Sequence, residues 1–145
     1  MTVTTPNKKK CYAAAMQLLV RREHSVFELR QKLTIKEFDE SDIESSIDTL
    51  IEQNYQSDVR FSADFIQMRF NQGKGPIKII VDLKQRGIDQ FDLSGYDFYT
   101  LARNIRERKF GKQVPIDFKE KAKQQRFLQS RGFNFEHISE SFKTA

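Results

Sequence analysis

Nearly the same six residues occur at two places in the chain, as "LKQRGI" at 83–88 and "LQSRGF" at 128–133. A more divergent third copy, "LTIKEF", occupies 33–38. Each copy begins with Leu, carries a cation followed by Gly or Glu, and ends with Ile or Phe. Near-regular recurrence of this kind is the signature of tandem structural units, so the hexamer predicts a chain built from three repeats.

We expect each hexamer to close the middle helix of its repeat. Its Leu packs in the core, and its Gly (Glu37 in the first copy) reverses the chain direction after the helix. Its last residue packs between the middle helix and the next helix. The residues predicted to have these structural roles are Leu33, Phe38, Leu83, Gly87, Ile88, Leu128, Gly132 and Phe133.

Helix signals dominate the first unit. Residues 13–22 are rich in Ala and Leu, which favour helix. Ser25 with Glu28 forms a capping-box pattern ahead of a second helix, and Ser41 with Glu44 forms another ahead of a third. The first 55 residues therefore predict a flexible basic N-terminus over 1–10 and a three-helix repeat over 11–55.

The same order of signals returns twice. Ser57 or Asp58 begins a helix, and Pro76 sits at the first position of the next helix, where its missing amide costs nothing. A short third element is expected at 89–93, giving a repeat over 56–96. Asp97 and Asp117 begin helices of a last repeat over 97–145. No period-two alternation of apolar residues appears. The sequence predicts an all-α fold of three tandem three-helix repeats forming an elongated, curved array.

Positive charge is concentrated in the last third of the chain. The net charge is +5, but residues 99–131 carry 10 Lys and Arg against 3 Asp and Glu, a local net of +7. Clustered cations attract phosphate backbones or an acidic protein surface. Lys119, Lys123 and Arg126 follow one stripe of a helix. The full set of candidate partner-binding residues is Lys74, Lys78, Arg86, Arg103, Arg106, Arg108, Lys109, Lys119, Lys123, Arg126 and Arg131.

Signs of catalysis are weak. The "GKGP" segment at 73–76 lacks the spacing of a phosphate-binding loop, which favours a simple turn between helices. His24, expected at the surface, and His137 are the only histidines, and with the single Cys11 they offer no zinc-ligand spacing. No Ser stands in a nucleophile elbow. We expect no enzyme activity, cofactor or metal.

The compartment is predicted from two further features. A lone cysteine fits a reducing cytoplasm. No stretch approaches the roughly 20 apolar residues that span a bilayer. The chain is therefore expected in the cytoplasm and not in a membrane. We also expect it to be a monomer.

The middle repeat, "YQSDVRFSADFIQMRFNQGKGPIKIIVDLKQRGID" at 55–89, resembles the RecX family of bacterial recombination regulators. The family pattern has Asp-x-Arg-Phe, then Gly-x-Gly-Pro, then Leu-x-x-Arg-Gly-Ile. The segment "AMQLLVRREHSVFELRQKL" at 15–33 resembles the first family unit. The segments "LARNIRERKFG" at 101–111 and "KAKQQRFLQSRGF" at 121–133 resemble the third.

This resemblance implies a partner and a role. Family members bind the RecA recombinase in the groove of the RecA–DNA filament and suppress strand exchange, ATP hydrolysis and co-protease activity, acting in DNA repair and the SOS response. They are not enzymes. The residues leave two other functions open: a sequence-independent nucleic-acid-binding protein without a recombinase partner, and an adaptor that binds only protein. Weak direct binding to DNA is compatible with a RecA regulator and with a nucleic-acid-binding protein.

Overall fold

A computed structural model describes residues 6–143, with Pro6 described by its backbone alone. Over this range, all of the regular secondary structure is helical. No strand occurs within this range. The all-α prediction is therefore confirmed. The eight helices are α1 (Pro6–Arg21), α2 (Val26–Ile35), α3 (Glu40–Glu52), α4 (Asp58–Asn71), α5 (Pro76–Lys84), α6 (Phe98–Phe110), α7 (Phe118–Ser130) and α8 (Phe135–Ser141).

Two helix predictions need correction. Helix α1 begins at Pro6, so residues 6–10 are helical and not a flexible extension, while residues 1–5 lie outside the described range. Pro suits a first helical turn because its missing amide would have no partner there. Residues 89–93 form no helix. Asp92 instead accepts a hydrogen bond from the Ser94 amide at 2.9 Å, and so short a segment cannot offset the cost of helix nucleation.

Hydrogen bonds and helix bounds of the structure test the predicted caps at Ser25, Asp97 and Ser41. The Ser25 hydroxyl accepts the Glu28 amide at 3.1 Å, and Glu28 accepts the Ser25 amide at 3.2 Å, so this capping box is confirmed. Asp97 accepts the Thr100 amide at 3.0 Å, as expected. The box at Ser41 is wrong. Helix α3 begins at Glu40 after its cap Asp39, so Ser41 already lies inside the first turn.

The repeated hexamer is a Schellman cap in all three copies. The residue in fifth place has positive φ: 67° at Glu37, 76° at Gly87 and 96° at Gly132. The last amide of each hexamer donates to the carbonyl of its first Leu, and all three Leu side chains are fully buried. These bonds are Phe38 to Leu33 at 3.3 Å, Ile88 to Leu83 at 3.0 Å and Phe133 to Leu128 at 3.3 Å. The hexamer therefore ends a helix in all three copies.

The chain divides into two compact units. The first comprises residues up to 64 together with 83–91. Its core is a cluster of buried side chains from α1, α2 and α3, including Cys11, Leu29, Leu33, Ile47 and Leu50. These residues recur at three- and four-residue spacing along their helices, which is why one face of each helix is removed from water.

His24 belongs to the interior of the first unit, so its expected surface position is wrong. Its Nδ1 donates to the Arg22 carbonyl at 3.0 Å, and its Nε2 accepts from Lys32 Nζ at 2.9 Å. The second bond requires a neutral ring, because a protonated Nε2 has no lone pair with which to accept. Burial is the main reason that the pKa of His24 lies below its ordinary value.

The second unit comprises residues 65–82 and 92 onward. Buried side chains of α6, α7 and α8 include Phe98, Ala102, Leu128 and Ile138. His137 is also buried among aromatic rings, with its centroid 4.6 Å from that of Tyr99. This unit contains the 99–131 segment in which positive charge is concentrated.

Candidate partner-binding surface

Arg86 is the one candidate cation that lies in the first unit. It is half-buried, and its Nε is 3.8 Å from Oε2 of Glu28. The same carboxylate receives two hydrogen bonds of 3.0 Å from the Arg22 guanidinium. Arg86 therefore has an intramolecular ion pair within the first unit, and the other candidate cations all lie in the second unit.

Arg106 is buried and cannot meet a partner, so its place among the surface candidates is wrong. Only 2% of the residue is exposed. Its Nε donates to the Ser141 carbonyl at 3.0 Å, and its guanidinium carbon lies 5.1 Å from the Phe142 ring centre. Burial lowers the pKa of this guanidinium. The reason is its position: Phe98, Ala102 and Arg106 are four residues apart and share the buried face of α6.

Arg103 is half-buried and also has an internal role. Its Nη2 donates to the carbonyls of Glu140 and Lys143, both at 3.0 Å. These carbonyls lie at the end of α8, where helical partners are missing and a cation is favourable. Arg103 therefore stabilises the C-terminal end of α8.

Two phenylalanine rings are in contact with several of the remaining candidate cations. Phe110 and Phe127 pack edge to face, with centroids 5.4 Å apart and planes at 87°, and we call this pair the aromatic platform. Lys109 Nζ lies 4.4 Å from the Phe127 centroid, and the Arg131 guanidinium carbon lies 5.1 Å from it. Lys123 Nζ is 6.0 Å from the Phe110 centroid. All three distances fall within the range of a cation–π contact.

A second group of cations meets where α5 begins and α7 ends, and we call Lys74, Lys78 and Arg131 the turn cluster. The Gly75 amide donates to the Arg131 carbonyl at 2.7 Å, and the Ile77 amide donates to the Gly132 carbonyl at 2.9 Å. These bonds bring two distant parts of the sequence together. Arg131 belongs to both groups, so the turn cluster and the platform cations form one continuous basic surface.

The cations of the turn cluster repel one another and, within the described residues, are not paired with carboxylates. Burial is the first cause of a lowered pKa at Lys74, and repulsion from Lys78, Arg131 and Arg69 adds to it, while Asp82 opposes the shift. Within residues 7–143, no carboxylate lies at salt-bridge distance from any of the three cluster side chains. An incoming anion would relieve this repulsion.

The "GKGP" segment is a turn between α4 and α5, as the sequence indicates. The amides of Gly75 and Ile77 are already bonded to carbonyls, so they cannot cradle a phosphate. A Cβ on Gly75 would lie 2.3 Å from the carbonyl carbon of Gly132. Glycine is needed there because two backbones pack directly against each other.

The predicted stripe on α7 lies on the surface. Lys119, Lys123 and Arg126 are all exposed, as is Arg108 at the end of α6. Of the stripe, Lys123 also contacts the aromatic platform. Contact of these cations with a partner stays a prediction.

Sequence reasoning missed the aromatic platform. Phe127 lies beside Lys109 because α6 and α7 pack together, and no local pattern shows this long-range contact. The burial of Arg106 could have been predicted from the sequence, because Phe98, Ala102 and Arg106 follow one another at four-residue intervals and therefore share one face of the helix.

Among the described residues, no group of three or more His, Cys, Asp or Glu side chains is placed to hold a metal ion. No described helix combines the length and apolar character required to cross a membrane.

Helical repeats and a concentration of cations in the second unit define the class: an all-helical tandem-repeat protein with a basic surface. Family models identify the repeats. They match "RecX, first three-helix domain" at residues 11–50, "RecX, second three-helix domain" at 57–93 and "RecX, third three-helix domain" at 96–141. The chain belongs to the RecX family of regulatory proteins.

Curated relatives agree along nearly the whole chain. "Regulatory protein RecX" of Legionella pneumophila (strain Corby) is 39% identical over 140 residues, covering 92% of this chain and 93% of the relative. The protein of the same description from Vibrio campbellii is 39% identical, with coverages of 87% and 85%. That from Pseudomonas fluorescens is 37% identical, with coverages of 96% and 94%.

Solved structures support the fold. The crystal structure of RecX from Lactobacillus salivarius aligns with a TM-score of 0.78 at 20% identity, covering 93% of this chain and 94% of that one. A second structure, described as regulatory protein RecX, gives 0.79 at 22% identity and covers 92% of this chain and 71% of that one.

Proposed function

We propose that this protein is a cytoplasmic regulator of the RecA recombinase. It binds the RecA–DNA filament and lowers its strand exchange, ATP hydrolysis and co-protease activity during DNA repair and the SOS response. The observation that carries this proposal is the match of all three RecX domains in order along the chain, because RecX resemblance implies RecA as the partner.

The mechanism we propose is steric and electrostatic. The exposed cations of the second unit support this mechanism, because they would attract the phosphates of the DNA in a RecA filament. Occupation of the filament by a folded helical protein would obstruct incoming duplex or further growth. No chemistry by the regulator itself is required.

The test is RecA-catalysed ATP hydrolysis on single-stranded DNA. The wild-type protein should inhibit hydrolysis and should show no ATPase or nuclease activity alone. Reversal of the α7 stripe (Lys119→Glu, Lys123→Glu, Arg126→Glu) should weaken inhibition strongly and leave the fold intact, because exposed charges away from caps and core contribute little stability.

The matched control reverses three exposed cations of α1 in the first unit: Lys9→Glu, Lys10→Glu and Arg21→Glu. It changes the net charge equally, so a comparable loss in the control would mean that only total charge matters. Full inhibition by the stripe variant would remove α7 from the binding face. Absence of inhibition by the wild-type protein would refute the proposed function.

A sequence-independent nucleic-acid-binding protein is the second candidate. The observation that favours it is the basic surface, which needs no recombinase to attract a phosphate backbone. Under this alternative the protein would bind naked DNA as tightly as a RecA filament at the same salt concentration. The stripe variant would then lose affinity for both.

A further inference from the structure

Phe127 has an arrangement that neither core packing nor base stacking explains. It is only half-buried. Its ring carries the ammonium of Lys109 at 4.4 Å and the guanidinium of Arg131 at 5.1 Å, and it packs edge to face on Phe110. Lys109 lies in the last turn of α6, and Arg131 is the C-cap of α7. The ring therefore connects cations from two helices.

Contact with the Phe127 ring restricts both cations, and Lys109 Nζ also lies 5.9 Å from the Phe110 centroid. Within the described residues, neither forms a salt bridge with a carboxylate. A free Lys or Arg side chain loses substantial rotamer entropy when it binds a ligand. Contact with an aromatic face restricts these side chains beforehand without neutralising them, so a ligand has less ordering cost to overcome.

We infer that Phe127 is a positioning residue, which holds Lys109 and Arg131 ready for the phosphodiester backbone of nucleic acid and does not stack on a base. The inference rests on the proposed function for its ligand, the nucleic acid of the filament. Phe127 itself contacts no phosphate.

The surroundings favour a phosphodiester backbone over an acidic protein segment. Cations continue from the platform into the turn cluster, from Lys123 through Lys109 and Arg131 to Lys74 and Lys78. None of these five cations forms a salt bridge with a carboxylate within the described residues, and a run of cations that are not neutralised suits a polymer with regular negative charge.

Base stacking is disfavoured by the same contacts. A base laid on Phe127 would have to displace Lys109 or Arg131 from the ring, leaving the cation without its aromatic partner. Aromatic residues that stack on bases present an open face. The binding predicted here therefore depends on the backbone of the ligand and not on its bases.

The experiment measures equilibrium binding to three probes in low salt: a thymidine oligonucleotide, an abasic oligonucleotide of equal length and inorganic polyphosphate. Phe127→Leu keeps an apolar side chain and removes the aromatic face. It should weaken binding to all three probes by about five- to thirtyfold, the scale of two partly exposed cation–π contacts. Phe127→Trp should restore near wild-type affinity, because Trp offers the best ring for a cation.

The control is Phe118→Leu on the same helix. Phe118 is 83% exposed and has no cation over its ring within the described residues. Its replacement should leave the affinity for each probe unchanged. An equal loss in this control would overturn the inference, since any exposed phenyl ring would then be sufficient.

A second set of variants separates positioning from a loss of folding. The double variant Lys109→Gln, Arg131→Gln removes the charges and keeps the ring. Adding Phe127→Leu to it should cause little further loss, because the ring acts only through these cations. An additive loss would overturn the inference.

Two more outcomes would contradict it. If Phe127→Leu weakens binding to thymidine but not to the abasic probe or polyphosphate, the ring stacks on bases. If the wild-type protein binds none of the three probes, the surface meets acidic side chains instead. Inhibition of RecA would remain in that last case, so failure of this inference is distinguishable from failure of the proposed function.

Discussion

Replacing Glu37 by Gly should stabilise the protein, although it removes a side chain. Glu37 holds the left-handed position of the first hexamer at φ 67°, where the other two copies have glycine. The residue is exposed, and within the described residues its side chain forms no hydrogen bond or salt bridge. Only its amide contributes, donating to the Thr34 carbonyl at 2.9 Å, and glycine keeps that bond.

The magnitude follows from two opposing terms. A Cβ in the left-handed region costs about 1–2 kcal/mol, which Glu37→Gly relieves. The greater freedom of glycine in the unfolded chain costs about 0.4–1 kcal/mol. The difference predicts a net gain in unfolding free energy of about 0.5–1 kcal/mol.

Urea unfolding measures this gain as a higher midpoint at an unchanged slope. Two controls isolate the backbone. Glu37→Gln removes the charge and keeps the Cβ, so it should have almost no effect. Lys36→Gly, at φ −76°, should destabilise by about 0.5–1 kcal/mol because no strain is relieved there. The interpretation of the hexamer as a Schellman cap is refuted if Glu37→Gly destabilises as much as Lys36→Gly.

Two further predictions concern stability. Leu83→Ala and Leu128→Ala should each lower the unfolding free energy by about 2–5 kcal/mol, because both side chains are fully buried at equivalent caps. Losses below about 1 kcal/mol in chemical denaturation would show that the hexamer has no core role. Burial lowers the pKa values of His24 and His137 below the usual 6.5, so the unfolded chain binds protons that the folded chain resists, and stability should fall as pH drops below 6.5. His24→Gln should flatten the pH dependence of the urea midpoint between pH 7 and 5.5, and an unchanged slope would contradict the assignment to His24.

Local signals in the sequence were sufficient for most of the fold. The Ser25 capping box and the Asp97 cap lie within one turn of the helices that they begin, so neighbouring residues determine them. The hexamer was recognisable because a Schellman cap needs a left-handed residue and an apolar pair at fixed spacing. The Ser41 prediction failed because α3 begins earlier, at Glu40, and residue spacing alone does not fix the first helical residue.

The candidate site was less predictable because its geometry is long-range. The turn cluster exists only where the start of α5 meets the end of α7, through hydrogen bonds from Gly75 and Ile77. Charge alone could not separate Arg106, which is buried, from Lys109, which is exposed three residues later. That distinction depends on which face of α6 packs inward.

The proposed role in RecA regulation is tested most directly by comparing two affinities at one salt concentration. The labelled protein is titrated with RecA filaments assembled on single-stranded DNA, and separately with the same DNA free of RecA. Binding at least about tenfold tighter to the filament, or about 1.4 kcal/mol, is the expected result. Equal affinity for filament and naked DNA would contradict a recombinase partner and leave a nucleic-acid-binding protein in its place.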